Sequence, residues 1–402
     1  MEVAAKRIRI TLHGTYGIFS RILLTPATPP CHLGALRGPM QNDAALAQIP
    51  PDDLRIPVDP ADEKGILLGP YGLRAGWSLL IFIILAAILI AAVRGIFTHY
   101  HPSTHTAAQV AAHASNVQAA LTERPPVSVL LSHGAPLALL LLISWIMAKI
   151  ERRRFGVYGF GGVQRVKDCV NGLISGVVSL SLLVGVLWAC HLLVFDGFSL
   201  SGRAAMIYGF KWLGAFCLVG VSEEFMFRGY LQYTLMRGLS GMLPPGNPYR
   251  RALGFWVTAT LLSVLFFLGH QSNPGESPIG LLAVFLIGMV LAYSLWRTGS
   301  LWWAIGYHIT WDWMQSYFYG VGDSGTFIKG HLLATHPQGS ALYSGGLTGP
   351  EGSLFVIPTG LLLLLVIRFT LPKRAQPPLI PENWPVSPHS APAVYEPEPL
   401  LG

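Results

Sequence analysis

Eight apolar stretches run along the chain, and each is close to the length that an α-helix needs to cross a lipid bilayer. A helix rises about 1.5 Å per residue, so ~20 apolar residues cover the ~30 Å of hydrocarbon in a membrane. A helix also satisfies its own backbone hydrogen bonds in lipid, and the pattern therefore predicts an all-α, polytopic transmembrane helix bundle. The stretches lie near residues 75–94, 127–148, 170–195, 206–228, 252–270, 279–296, 301–319 and 353–371.

The shortage of charge supports the same interpretation. Only 12% of the residues are charged and 52% are hydrophobic, whereas a soluble domain carries about 25% charged residues. An ionised side chain at the centre of a bilayer costs several kcal/mol, so this composition is typical of an integral, multi-pass membrane protein in contact with lipid. The net charge of +7 is not concentrated in any one domain, so nucleic acid is not an expected partner.

The basic residues predict the orientation of the bundle. Loops rich in Lys and Arg stay on the cytoplasmic side of a membrane, and the link between the second and third stretches is the richest. Placing that link inside also places both termini in the cytoplasm. The basic residues of the link are Lys149, Arg152, Arg153, Arg154, Arg165 and Lys167.

The two ends of the chain differ from its middle. Residues 1–70 have Pro-Pro pairs at 29–30 and 50–51 and no sustained apolar period, which predicts a flexible N-terminal arm. Residues 375–402 are rich in proline and predict a disordered tail. Residues 71–374 between them form the expected transmembrane domain.

The first unusual polar cluster is Ser222–Arg228, which interrupts an apolar run. Glu223 and Glu224 are neighbours and therefore lie ~100° apart around a helix. Glu224 and Arg228 are four residues apart on one face, so we expect an ion pair between them. Glu223 is then left to point into a cavity. The alternative is an interfacial helix end with ordinary solvated charges.

Two further clusters place histidines in apolar sequence. His270 ends the fifth stretch, while His308 and Asp312 lie four residues apart inside the seventh and share a helix face. Separately, these fit an interfacial histidine and a His–Asp pair that only ties helices together. Together with Glu223 they supply a carboxylate that takes a proton from water, histidines that position the water, and a partner for an oxyanion.

The ordered set Glu-Glu-x-x-x-Arg, Phe-x-x-x-His and His-x-x-x-Asp/Asn resembles the CPBP family of CAAX proteases and bacteriocin-processing (Abi) proteins, which includes type II CAAX prenyl proteases. Here the motifs are Glu223-Glu224 to Arg228, Phe266 to His270, and His308 to Asp312, and the likeness covers about residues 150–320. It implies an intramembrane, glutamate-dependent metalloendopeptidase that cuts a membrane-associated peptide or protein or a CAAX-like substrate, and a bacterial plasma membrane as its location.

The resemblance also implies the role of each residue. Glu223 and His270 are expected to activate water, and His308 with Asp312 to stabilise the oxyanion or hold a metal. Glu224 and Arg228 are expected to brace the site.

One position departs from the family pattern, because the prenyl proteases have asparagine where this chain has Asp312. An ionised aspartate only accepts hydrogen bonds and repels an oxyanion. Asp312 must therefore be protonated, orient His308 or ligate a metal. The last option favours a divalent ion such as Zn²⁺ held by Glu223, His270, His308 and Asp312. The resemblance also leaves open a metal-free reaction with glutamate-activated water. The sequence has no His-Glu-x-x-His helix, so the arrangement of the soluble zincins is absent.

Two other classes of function fit part of the pattern. A non-catalytic immunity or scaffold protein of the same family would use the folded site to bind a membrane partner. A proton-coupled transporter would use Glu223 and the histidines as a relay, although the sequence has no duplicated halves that would support transport.

Overall fold

A computed structural model of the protein describes residues 66–69, 71–100, 123–244 and 247–381, with residues 92–100 described in backbone only. The expected flexible arm lies outside these residues except at its end. The part of the expected C-terminal tail beyond residue 381 also lies outside them.

The described residues form a helical bundle, as the apolar stretches predict. Two helices run on without a break into π-helical segments, Phe225–Leu231 and Trp313–Phe318, and short 3₁₀ turns cover Phe155–Tyr158 and Pro350–Gly352. The α-helices are α1 Ala75–Tyr100, α2 Pro126–Ile150, α3 Arg165–Ala189, α4 Gly202–Glu224, α5 Gln232–Met242, α6 Arg250–His270, α7 Pro278–Thr298, α8 Trp302–Asp312, α9 Ala341–Ser344 and α10 Val356–Thr370.

Within the described residues, five helical stretches are long and apolar enough to cross a membrane. They are α2, α3, the continuous helix Gly202–Met242, α6 and α7. The protein is therefore an integral membrane protein built from helices. The expected number of eight spans and the cytoplasmic position of both termini stay predictions.

Two small antiparallel sheets lie outside the predicted all-α pattern. Strand β1, Leu68–Gly69, pairs with β2, Gly72–Leu73, and strand β3, Leu193–Phe198, pairs with β4, Leu333–Pro337. The predicted helical stretch 170–195 was too long, because α3 ends at Ala189. The last residues of that stretch, from Leu193 onward, belong to β3. Nothing local marks β3 as a strand, since its partner lies well over a hundred residues away in the chain.

Helix α8 is held in place by close packing against α3. A Cβ added at Gly172 would lie 2.1 Å from the carbonyl oxygen of Trp303, and one added at Gly306 would lie 2.3 Å from that of Cys169. Only glycine permits two helix backbones to come this close. The hydroxyl of Thr310 also donates to the carbonyl of Leu173 at 2.8 Å. The helix that carries His308 is therefore fixed against its neighbour along its length.

An extended strap follows α10 and corrects the prediction of a disordered tail from residue 375. Residues 371–381 contact the ends of several helices: Arg251 at the start of α6 donates to the carbonyl of Pro377 at 2.5 Å, and Gln376 donates to the carbonyl of Trp296 in α7 at 2.7 Å. Arg374 pairs with Asp168 at 2.5 Å. Leu379 is only 1% exposed, so the strap is packed into the core rather than solvated.

Candidate active site

The polar clusters of the sequence meet around one cavity of about 1200 Å³. Glu223 comes from the end of α4, His270 from the end of α6, and His308 and Asp312 from α8, and all four line this cavity. Most of the remaining lining is apolar. Side chains almost a hundred positions apart in sequence therefore line the same cavity.

His308 lies at the centre of the carboxylates. Its Nδ1 is 2.9 Å from Oε1 of Glu224, so this nitrogen carries a hydrogen and donates it. Its Nε2 is 3.7 Å from Oε2 of Glu223 and 3.6 Å from Oδ2 of Asp312. The ring is thereby oriented with Nε2 toward the two carboxylates that line the cavity.

Glu224 and Arg228 form the expected ion pair and do more than brace the helix. Nη1 of Arg228 is 2.9 Å from Oε1 of Glu224, and the residues are 4% and 0% exposed. The same oxygen accepts the hydrogen bond from His308. Orienting His308 was one of three roles that the sequence left open for Asp312. Among the described residues, the hydrogen bond that the His308 ring makes is to Glu224.

One π-helical segment begins immediately after Glu224 and another immediately after Asp312. Phe225–Leu231 follows Glu224, and Trp313–Phe318 follows Asp312. A π-helix has a wider turn than an α-helix, so it changes the side of the helix on which the following side chains lie. Such segments occur often at functional sites. The sequence carried no signal for either segment.

Phe266 explains the spacing of the Phe-x-x-x-His motif. The guanidinium of Arg228 lies 4.4 Å from the centre of the Phe266 ring, and the His270 ring packs edge-on against it with centroids 4.5 Å apart. Nδ1 of His270 is 2.8 Å from the Phe266 carbonyl oxygen, so Nδ1 carries a hydrogen and Nε2 remains an acceptor when the ring is neutral. Phe266 thus links the ion pair to the second histidine by direct contact.

Residues 205–314 match the family described as type II CAAX prenyl endopeptidase Rce1-like. This segment of the chain is similar to that family. The match covers about a quarter of the 402 residues and contains all six site residues that the sequence predicted. No curated protein and no solved structure matches the chain.

The similarity of residues 205–314 to CAAX prenyl endopeptidases supports a general role for the protein. Together with the five helical stretches long and apolar enough to cross a membrane, it supports an integral membrane protein with a protease-type role on a peptide or protein. The likeness inferred from the sequence extended back to about residue 150, while the family match begins at residue 205. The helices α2 and α3 therefore lie outside the matched segment.

Acidic residues that the sequence did not suggest lie at one side of the cavity. Asp323 and Glu351 both line it. The hydroxyl of Ser316 donates to Asp323 at 2.8 Å, and that of Ser324 donates to Glu351 at 2.9 Å. Both acids lie in the loops between α8 and α10. Charged residues are common in loops, so nothing in the sequence singled these two out.

Glu276 is expected to make the stability of the protein depend on pH. It lies in the loop between α6 and α7, where burial and then the negative charge of Glu351 raise the pKa of its carboxyl from 4.5 to about 7. The folded protein then holds a proton that the unfolded chain releases. We expect stability to fall as the pH rises from about 4.5 to about 7, with no further loss from this group above that range.

Thermal unfolding of the detergent-solubilised protein at a series of pH values measures this slope. Glu276→Gln should flatten it, because glutamine carries no titrating proton. Glu123→Gln, at an exposed position, should leave the slope as it is. An unchanged slope in Glu276→Gln would contradict the assignment.

The donor set offers only limited support for a metal ion. Glu223, His308 and Asp312 lie near one another, but no group of three or more His, Cys, Asp or Glu side chains in the described residues is arranged to hold a metal. The metal set expected from the sequence, Glu223, His270, His308 and Asp312, thus gains no support from this arrangement of side chains. The metal hypothesis stays a prediction that direct metal analysis decides.

Proposed function

We propose that the protein is an intramembrane endopeptidase that hydrolyses a peptide bond with water activated by Glu223 and His270. The observation that supports this is the meeting of Glu223, His270, His308 and Asp312 on one cavity inside a membrane-spanning fold. The match to the CAAX prenyl endopeptidase family supports peptide-bond hydrolysis as the reaction class.

In the proposed reaction, Glu223 takes a proton from a water molecule while the free Nε2 of His270 accepts a hydrogen bond from the same water. The water oxygen attacks the scissile carbonyl and forms the new C–O bond. Glu223 then passes its proton to the leaving amine as the C–N bond breaks. One residue serves as base and then as acid, which general acid–base catalysis permits when the group lies within reach of both atoms.

His308 is proposed to stabilise the oxyanion that forms in this reaction. Its Nδ1–H is held by Glu224, so a proton on Nε2 makes the ring a cation that donates toward the cavity. Donors fixed before the reaction stabilise developing charge without reorganising, which makes them effective in a site that excludes water. Arg228 holds Glu224 in place behind His308 through their ion pair.

The substrate is proposed to be a membrane-associated peptide with a lipid chain or an apolar segment. The cavity lining is mostly apolar, and its wall includes residues of α7 and α10 such as Leu286, Leu361 and Leu365. Apolar groups gain about 25 cal/mol per Å² when they leave water. A CAAX-like peptide with a prenyl group, which the family description names, has this combination of lipid chain and peptide.

A cleavage assay in proteoliposomes tests the proposal. The full-length protein is incubated with a prenylated CAAX peptide labelled at its C-terminal end, with Glu223→Gln as the inactive control, and mass spectrometry locates the cut. Cleavage by the wild type alone supports the proposal. Tight binding without cleavage would favour the non-catalytic scaffold role instead.

The same preparation decides the metal question by direct measurement. Elemental analysis of the purified protein, followed by activity before and after chelation, distinguishes a metal enzyme from one that uses Glu223 alone. We expect activity to survive chelation, because no step of the proposed reaction requires an ion. Loss of activity that one divalent metal restores would replace this mechanism.

The variant Asp312→Asn distinguishes the metal-free mechanism from a metal-dependent one. In the proposed mechanism, asparagine adds an N–H donor near Nε2 of His308, so we expect activity within about tenfold of the wild type or above it. If Asp312 were a metal ligand, its loss would lower activity together with metal content. A drop of more than about a hundredfold would contradict the metal-free mechanism.

A further inference from the structure

A third histidine, His133 on α2, lines the same cavity as Glu223, His270 and His308. The family match begins at residue 205, so it assigns nothing to this helix. An ionisable side chain inside a membrane-spanning helix is costly to place there, and one that faces a cavity is a candidate for function.

One nitrogen of His133 forms a hydrogen bond with a residue of the neighbouring helix α4. Nδ1 lies 3.4 Å from Oγ of Ser222, whose own hydrogen goes to the carbonyl of Val219 at 2.9 Å. Because Oγ has used its hydrogen, it accepts from Nδ1, and Nδ1 therefore carries the proton. The bond ties α2 to the turn of α4 that presents Glu223.

The other nitrogen, Nε2, has no hydrogen-bond partner in the part of the chain that the structure describes. The ring lies close enough to Glu223 and His308 to interact electrostatically with both. With Nδ1 protonated, the neutral ring offers Nε2 as an acceptor. A peptide that enters this mostly apolar cavity loses water from its backbone N–H groups, and each needs a new acceptor.

We propose that His133 is a substrate-binding residue, with Nδ1 anchored on Ser222 and Nε2 accepting a hydrogen bond from a backbone N–H of the bound peptide. The proposal rests on the protease function. It places the recognition of the peptide backbone on a helix that the family segment does not contain.

Binding of a fluorescent prenylated CAAX peptide tests it in full-length protein carrying Glu223→Gln, so that turnover does not interfere. His133→Phe removes both nitrogens and should weaken binding by about tenfold, the effect of one lost hydrogen bond. His133→Gln places an amide oxygen near the position of Nε2 and should keep binding within about threefold. His133→Asn keeps only a donor near Ser222 and should bind as weakly as the phenylalanine variant.

Ser132→Ala, one residue earlier on the same helix and the same cavity wall, is the matched control and should bind like the parent. Unchanged binding in His133→Phe would overturn the proposal, and so would recovery by asparagine. The comparison of glutamine with asparagine holds even if the phenylalanine variant does not fold. A wild type that never cleaves the peptide would refute the protease function, whereas this binding series decides the role of His133 separately.

Discussion

Replacing Glu223 by glutamine is expected to lower kcat for peptide cleavage by about a thousandfold, with little change in KM. Glutamine keeps the size and polarity of glutamate but does not take a proton from water at neutral pH. General acid–base catalysis contributes about 10²–10⁴-fold to a rate, and here one residue serves as both base and acid. Loss in kcat with KM unchanged is the expected result for a group that acts only in the transition state.

Initial rates of cleavage over a range of peptide concentrations provide both constants. Glu351→Gln is the matched control. It removes another carboxylate from the wall of the same cavity, and Glu351 makes no direct contact with His308 in the described residues. We expect that control to stay within about tenfold of the wild type. Thermal unfolding of each variant excludes a trivial loss of fold. Wild-type kcat in Glu223→Gln would remove Glu223 from the chemistry.

The helical fold could be predicted from the sequence because lipid imposes length and composition on each helix. The predicted stretches 252–270 and 279–296 agree with α6 and α7 to within a few residues. The β3–β4 pair could not be predicted, because strand pairing depends on the register between segments distant in the chain. The strap 375–381 was also missed, since its order comes from contacts with helix ends rather than from its own composition.

The candidate site, too, could be predicted from the sequence only where the interacting residues are close together in the chain. The Glu224–Arg228 pair follows from their spacing on one turn of helix, and the sequence suggested it directly. The hydrogen bond from His308 to Glu224 joins residues 84 positions apart and needs the packing of α8 against α4. His133 was overlooked because it stands alone in an apolar stretch, where a single histidine has no motif around it.

Breaking the Glu224–Arg228 pair is expected to cost more stability than any surface substitution. Arg228→Met would leave the carboxylate of Glu224 buried without the positive charge of Arg228. Glu224→Gln would leave the guanidinium of Arg228 buried without the negative charge of Glu224. Removing one partner of a buried ion pair costs about 3–5 kcal/mol, because the remaining charge has lost its compensation. The midpoint of thermal unfolding in detergent should fall in both variants. Asp196→Asn, which breaks the exposed pair with His336, should cost no more than about 1 kcal/mol.

The double variant Glu224→Gln/Arg228→Met separates stability from catalysis. Without a buried charge on either side, it should recover a large part of the lost stability, since replacing a whole ion pair is often neutral. Activity should stay low, because the substituted glutamine no longer holds His308 with a charged acceptor and the imidazolium form loses its support. A double variant that regains both stability and cleavage would mean that the pair only braces the helices. One that regains stability alone would mean that Glu224 acts on the reaction through His308.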